Sequence, residues 1–405
     1  MTNQSRTERC NGNIVVISET FAPEVNGVAN TLKYLCQGLL GRGFRVTVVR
    51  PRQAADPKTS RTNTGNALFT EEQLVHSLPL PGYPSLRFGL ARTSTLARQW
   101  RQRQPDAVYV ATQGPLGVVA VAAARRLGIP VFSGFHTNFH SYSRHYGVGF
   151  LAGLICQYGR WFHNRTDITL APSRKALQAL HTMGIGPTAL WSRGVDCQRF
   201  TPQKRDMGLR QAWGLKPLDR AFLYVGRLAP EKNLAMAVAS FERIRSLYPS
   251  ARFVLVGDGP LGPRLAARHP DYIFCGTLQG EALARHYASA DIFLFPSKTD
   301  TFGNVVLEAM ASGLGIVAYD DGAAGEHIRS EDNGLVSALD DDSGFTDHAM
   351  KLLEQPSLLS RVRTQARRDA LELRWTQVID QFVNIVLSNH IKGRQNDVKQ
   401  SLQTI

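Results

Sequence analysis

Nowhere in the 405 residues is there an uninterrupted apolar run of 18 or more, the length a helix needs to cross the hydrocarbon of a bilayer, so no spanning segment is expected. The opening MTNQSRTERCNGN is polar and lacks the apolar centre of a secretory signal. Cysteine is sparse: Cys10, Cys36, Cys156, Cys197 and Cys275 make an odd number without a C-x-x-C pair, which points to a reducing cytoplasm. No low-complexity segment occurs, and no internal repeat beyond two sheet-and-helix halves. Acidic residues are short in one half only. Residues 1–200 hold 23 Lys and Arg against 9 Asp and Glu, residues 201–405 hold 24 against 24, and the whole formal surplus of +14 therefore lies in the first half.

What is present is a regular alternation of apolar strand-like runs with helical segments, in a chain that is 43% hydrophobic and long enough for two domains. That alternation predicts α/β architecture with parallel sheets in both halves. The polar stretch SRGVDCQRFTPQKRD breaks the periodicity near residues 195–205 and marks the junction. Apolar spacing at Val378, Ile379, Phe382 and Ile385 predicts a helix near 376–390, and residues 391–405 read as a polar, frayed tail.

The densest chemistry lies in FPSKTDTFGNVVLEAMASGLGIVA, residues 295–318. Seven residues separate Asp300 from Glu308, with a helix start expected at Gly303 or Asn304 between them. Free backbone N–H groups and the positive dipole end at such a start suit a phosphate, while the two acids suit flanking hydroxyls, a layout that fits a nucleotide sugar. In AFLYVGRLAPEKNL, residues 221–234, a strand, a turn and a helix place Arg227 and Lys232 at a strand's C-terminal edge, where open α/β sheets bind ligands. Gly27 opens a helix after the strand NIVVIS and lets backbone approach a ligand closely. The loop in VFSGFHTNFHSYSRHYG carries His136, His140 and His145, open to a metal reading, and the aromatics Phe139, Tyr142 and Tyr146, which could line an acceptor pocket or simply pack. Gly257, Gly259 and Gly262 satisfy G-x-G-x-x-G, but Pro260 and Pro263 disfavour close helix packing on a pyrophosphate, and a dinucleotide site would leave Arg227, Lys232, Asp300 and Glu308 without roles.

Taken together these motifs resemble the retaining glycosyltransferases of family 4, which have the GT-B fold of two Rossmann-like, doubly wound domains facing a cleft. The resemblance spans nearly the whole chain. It implies an acceptor-binding domain over 1–197, a nucleotide-sugar domain over 198–374, and a helix at 375–390 crossing back onto the first domain. It also implies that His136, Arg227, Lys232 and Asp300 serve catalysis, with Gly27, Asp258, Gly259, Phe302, Gly303, Asn304 and Glu308 around the donor and Tyr142 and Tyr146 toward the acceptor. No metal and no cofactor are expected, the nucleotide sugar being a substrate. Two departures stand out: Asp300 replaces the usual Glu, and Gly315 stands where many relatives have Pro.

FHTNF and DTFGNVVLEAMASG most resemble bacterial mannosyltransferases that use GDP-mannose, with UDP-sugar-dependent glycolipid glycosyltransferases as the alternative. The basic first half then points to a lipid or glycan acceptor of acidic character or to an anionic membrane surface. Arg87, Arg92, Arg98, Arg101 and Arg103, interleaved with Phe88, Leu90, Leu96 and Trp100, form a candidate docking face or else a solvated helix packed inward on its apolar side. Two further readings are a nucleotide-sugar epimerase, which needs no acceptor, and a nucleic-acid-binding protein suggested by the pI near 9.8. The latter lacks a helix-turn-helix, zinc or RNA-binding motif.

Overall fold

The computed structural model describes residues 11–24, 26–53, 56, 68–80, 83–136 and 152–402. Two sheets organise them. The first comprises β1 (Asn13–Ile17), β2 (Arg45–Pro51), β3 (Glu71–Leu80), β4 (Tyr83–Leu90), β5 (Ala107–Val110), β6 (Val131–Gly134), β7 (Ile168–Ala171) and β8 (Thr188–Leu190), in the order β4-β3-β2-β1-β5-β6-β7-β8. The second comprises β9 (Ala221–Val225), β10 (Arg252–Val256), β11 (Ile273–Phe274), β12 (Ile292–Phe295), β13 (Gly315–Tyr319) and β14 (Leu335–Ser337), in the order β11-β10-β9-β12-β13-β14. The second sheet is wholly parallel. In the first, β3 and β4 pair antiparallel, a departure from the expected all-parallel sheet that sits at its edge.

Local sequence accounts for these elements. In β1 Ile14, Val15, Val16 and Ile17 are all buried, as a central strand covered on both faces requires. Helix α1 (Gly27–Leu40) starts where the Asn26 side chain accepts from the Ala29 N–H, and it buries Leu32, Leu35, Cys36 and Leu39 along one stripe. Gly315 is explained by its amide: its N–H donates to the Asp291 carbonyl at 3.0 Å, a bond that proline could not make.

Strand order reverses between β1 and β5 and again between β9 and β12, so each sheet opens a crevice at the C-terminal ends of those strands. The chain passes between the lobes twice, side by side, with the Val195 N–H donating to the Leu373 carbonyl at 2.9 Å. After the second passage the helix Trp375–Leu402 enters the first lobe. Its Val378, Ile379, Phe382 and Val386 share one core cluster with Leu32, Leu35 and Tyr109. The Trp191 indole donates to the Val378 carbonyl at 3.0 Å, and Arg42 pairs with Asp380 at 2.7 Å.

One expectation is corrected and one open alternative is decided in favour of an inward-packed helix. The last helix runs through Leu402 instead of ending at 390, because residues 391–402 contain no proline and only one glycine to interrupt its ladder. In α2 (Thr93–Arg103) Leu96 and Trp100 are buried against the cluster that holds Leu116 and Ala120 of α3 (Pro115–Arg126), so they offer nothing to a membrane. Among the described residues no helix is long and apolar enough to cross one.

Phe382 is fully buried between Tyr109 and Trp191, with ring centroids 5.2 Å from each. Phe382→Ala is expected to destabilise the first lobe by about 3–5 kcal/mol, seen as a lower denaturant midpoint.

Candidate functional site

The loops at the C-terminal ends of β9, β10 and β12 are laced together before any ligand is considered. After β9 comes Gly226, then Arg227, a short 3-10 turn Pro230–Lys232, and the helix Leu234–Leu247. Lys232 Nζ donates to Asp300 Oδ1 at 2.5 Å, the Thr299 hydroxyl to the Glu231 carbonyl at 2.9 Å, and the Asn233 amide to the Pro296 carbonyl at 3.2 Å. Arg227 lies 3.6 Å from the buried Glu231 carboxylate. From β10, the Asp258 carbonyl accepts from Leu228 N–H at 2.9 Å, and Asp258 Oδ1 accepts from the Gly259 N–H at 2.7 Å. A Cβ on Gly259 would stand 2.5 Å from the Leu228 carbonyl oxygen, so this close approach requires glycine.

Beyond β12, Gly303 at φ +89° ends the loop and the helix Asn304–Ala311 begins. The Phe302 carbonyl accepts from the Ala323 N–H, which anchors the turn to the segment after β13. Across the gap stands the start of α1: a Cβ built on Gly27 would lie 3.7 Å from Asn304 Nδ2. Two helix N-termini, one from each lobe, thus converge on one place, each with unsatisfied N–H groups and a positive dipole end. Beside them Asp300 Oδ2, Asn304 Oδ1 and Ser297 Oγ are buried without a hydrogen-bond partner among the described residues. Buried polar atoms are rarely left so, and three in the segment that follows one strand make this a candidate place for a ligand.

Glu308 sits one turn into that helix, half-buried. Burial pushes its carboxyl up to about 7 against the opposing pull of the Tyr287 hydroxyl and the Arg199 guanidinium. Arg199 also donates to the Tyr34 hydroxyl at 3.2 Å, and Tyr34 stacks on Trp375 with centroids 4.8 Å apart, so α1, the inter-lobe segment and the last helix meet beside Glu308. In the first lobe a second carboxyl near neutrality, Glu19 at the end of β1, is raised to about 7 by burial although it accepts from the Gly89 and Leu116 N–H groups.

A model of Glycosyltransferase Family 4 matches residues 25–199, and one of Glycosyl transferases group 1 matches residues 219–355. The GDP-mannose-dependent alpha-mannosyltransferase of Mycobacterium tuberculosis (strain CDC 1551 / Oshkosh) is 32% identical over 383 residues, covering 92% of this chain and 96% of that protein. The chain belongs to glycosyltransferase family 4. The Mycolicibacterium smegmatis protein of the same name is 33% identical over 377 residues, covering 91% of this chain and 96% of its own. Sucrose-phosphate synthase from Thermosynechococcus elongatus superposes with a TM-score of 0.77 at 17% identity, over 94% of this chain and all of that one, which shows the GT-B fold. Family membership favours transfer over the epimerase and nucleic-acid readings.

In this glycosyltransferase the geometry joins Lys232, Asp300, Gly303, Asn304 and Gly27 at one locus, with Glu308 a turn further on, and Arg227, Asp258 and Gly259 in the adjoining loops. His136 bonds within the first lobe and its junction segment, to Tyr109 and Arg193. Tyr142 and Tyr146, with Phe139, His140 and His145, lie outside the described residues. Sequence reasoning missed Tyr34, Arg199 and Tyr287 around Glu308, and Glu19. Arg199 follows the G-V-D run by only three positions, which was the one available signal.

A folded carboxyl near 7 against an unfolded value of 4.5 means that the unfolded chain ionises first. Stability therefore falls as pH rises from about 4.5 to 7, by up to about 3 kcal/mol, and stays level above. Glu308→Gln lacks this fall, so its thermal midpoint is expected to overtake that of the unmodified, ligand-free protein progressively between pH 5 and 7.5.

Proposed function

We propose that the protein transfers a mannosyl residue from GDP-mannose to a hydroxyl of a lipid or glycan acceptor, with retention of configuration and without a metal ion. The observation that carries the reading is the meeting of two helix N-termini with the unpartnered Asp300 Oδ2 and the Lys232 cation, an anion cradle beside hydroxyl-seeking oxygen. The names of the two mycobacterial relatives support the choice of donor.

In this reading the diphosphate lies against Gly303, Asn304 and Gly27, with Arg227 and Lys232 on its charge. Asp300 Oδ2 accepts from sugar hydroxyls and Glu308 from the ribose. The bond from C1 to the phosphate oxygen breaks, the acceptor oxygen bonds C1 on the same face, and the acceptor proton passes to the departing phosphate. Preorganised cations and dipoles stabilise the negative charge that develops there. Lys232→Ala and Glu308→Ala are each expected to lower turnover by about a hundredfold or more. GDP-mannose should raise the thermal midpoint in proportion to dose, EDTA should leave the rate unchanged, and the product should be the α-anomer. Stabilisation by UDP-sugars alone would overturn the donor, and near-normal turnover in both variants would overturn the site.

We further infer that the first lobe meets an anionic membrane, through a different element from the one its sequence suggested. On the helix Ala152–His163 Leu154, Tyr158 and Trp161 are exposed at positions that share one face, and the Arg165 guanidinium lies 4.4 Å from the Trp161 ring centre. The first half of the chain carries the whole formal surplus of +14, which gives that lobe a positive field. Binding to vesicles containing phosphatidylglycerol, weak with phosphatidylcholine alone, is expected to fall with salt and in a Leu154→Ser/Trp161→Ala double variant. Equal binding to neutral vesicles would refute it.

A further inference from the structure

Arg193 is buried, with 4% of its surface exposed, and no carboxylate is bonded to it among the described residues. Its guanidinium donates to the Trp191 carbonyl at 2.7 Å and the Ser192 carbonyl at 3.0 Å, and it lies over the Trp191 ring, 4.6 Å from the centre. A further N–H, on Nη2, reaches His136 Nδ1 at 3.1 Å. The other ring nitrogen, Nε2, is 2.7 Å from the Tyr109 hydroxyl. A guanidinium has no lone pair to offer and can only donate, so Nδ1 must accept. A neutral imidazole then carries its proton on Nε2 and donates it to Tyr109.

The surroundings are built for this arrangement. A Cβ on Gly134 would stand 2.3 Å from the Tyr109 hydroxyl and 2.5 Å from His136 Nε2, so only glycine leaves room for the bond. The groups that face the ring are Tyr109 from β5, the Trp191 indole edge-on after β8, Arg193, and His163 from the helix Ala152–His163. None is an acid. Burial, the Arg193 charge and His163 together hold His136 well below its ordinary value, while burial lowers Arg193 to about 10 and leaves it charged at neutrality.

We propose that Arg193 is a positioning residue for His136: by donating to Nδ1 it fixes the ring as the neutral, Nε2-protonated tautomer in one orientation at the C-terminal end of β6. The consequence for transfer rests on the proposed placing of His136 beside the donor sugar. Arg193 immediately precedes Gly194, where the chain leaves the first lobe, so the same residue ties that ring to the segment about which the lobes join.

The test uses the full chain with ¹⁵N-labelled histidine. The unmodified protein is expected to show His136 as the Nε2–H tautomer with no titration between pH 5 and 8. In Arg193→Met burial still keeps the ring neutral, but without a donor at Nδ1 the Nδ1–H tautomer should appear beside Nε2–H, and kcat should fall by up to about a hundredfold with a smaller change in KM. Arg193→Gln keeps an N–H donor without the charge, so it should hold the Nε2–H tautomer and restore much of kcat. An Nδ1–H tautomer in the unmodified protein, or a ring unaltered in Arg193→Met, overturns the proposal. So does a loss of thermal stability alone, without change in the tautomer. A ring that changes tautomer while transfer stays normal upholds the positioning and overturns instead the placing of His136 at the donor.

Discussion

The opposition of two helix N-termini across the gap between the lobes governs how this glycosyltransferase is put together. Each end carries about half a positive charge and several unsatisfied N–H groups, and like ends repel. Their approach at Gly27 and Asn304 therefore has to be held by contacts elsewhere. Those contacts are the last helix, whose Phe382 and Ile379 are embedded in the first lobe's core, and the paired passages at Val195 and Leu373. The apolar burial of one helix thus sustains an electrostatically unfavourable pairing, one that an anion between the two ends would relieve.

Without an anion, the cleft satisfies part of its charge internally. Lys232 is bonded to Asp300 and Arg227 leans on Glu231, both at the mouth of β9. Arg227 is the more exposed of the two cations and its 3.6 Å contact the looser, so an anion in the cleft competes more readily for Arg227 than for Lys232. Among the described residues, the one oxygen of Asp300 that Lys232 leaves untouched is the one that is buried and unpartnered, so it can accept a further hydrogen bond without the acid giving up its lysine. Asp300 is one methylene shorter than the family's usual Glu, and its bond to Lys232 indicates that the shorter arm still reaches the loop after β9.

Much of this was legible in the sequence because the groups concerned sit in short local motifs. The helix start at Gly303, the acids at Asp300 and Glu308, and the strand-turn-helix around Arg227 and Lys232 each lie within one loop, and local chemistry sets their form. What escaped notice depends on contacts distant along the chain. Tyr34 meets Arg199 and Trp375, Glu308 meets Tyr287, and Glu19 caps α3, and no spacing within a single segment announces such meetings. The two readings left open for residues 87–103 could not be separated for a related reason. Leu96 and Trp100 alternate with arginine in a pattern that an amphipathic surface helix and a core-facing helix share, and only the presence of α3 beneath them decides which it is.

The polar groups around His136 follow the same logic one layer further in. A buried guanidinium without a carboxylate is costly unless other groups accept its protons, and here two backbone carbonyls, an indole face and an imidazole share that task. An acid in the same place would have neutralised Arg193 more cheaply, but it would also have drawn a proton onto His136. Among the described residues no acid meets either group, which leaves the cation unneutralised and the imidazole uncharged. The surplus of positive charge in the first half of the chain therefore reaches its interior as well as its surface, and at Arg193 it borders the segment on which the relative placement of the lobes depends.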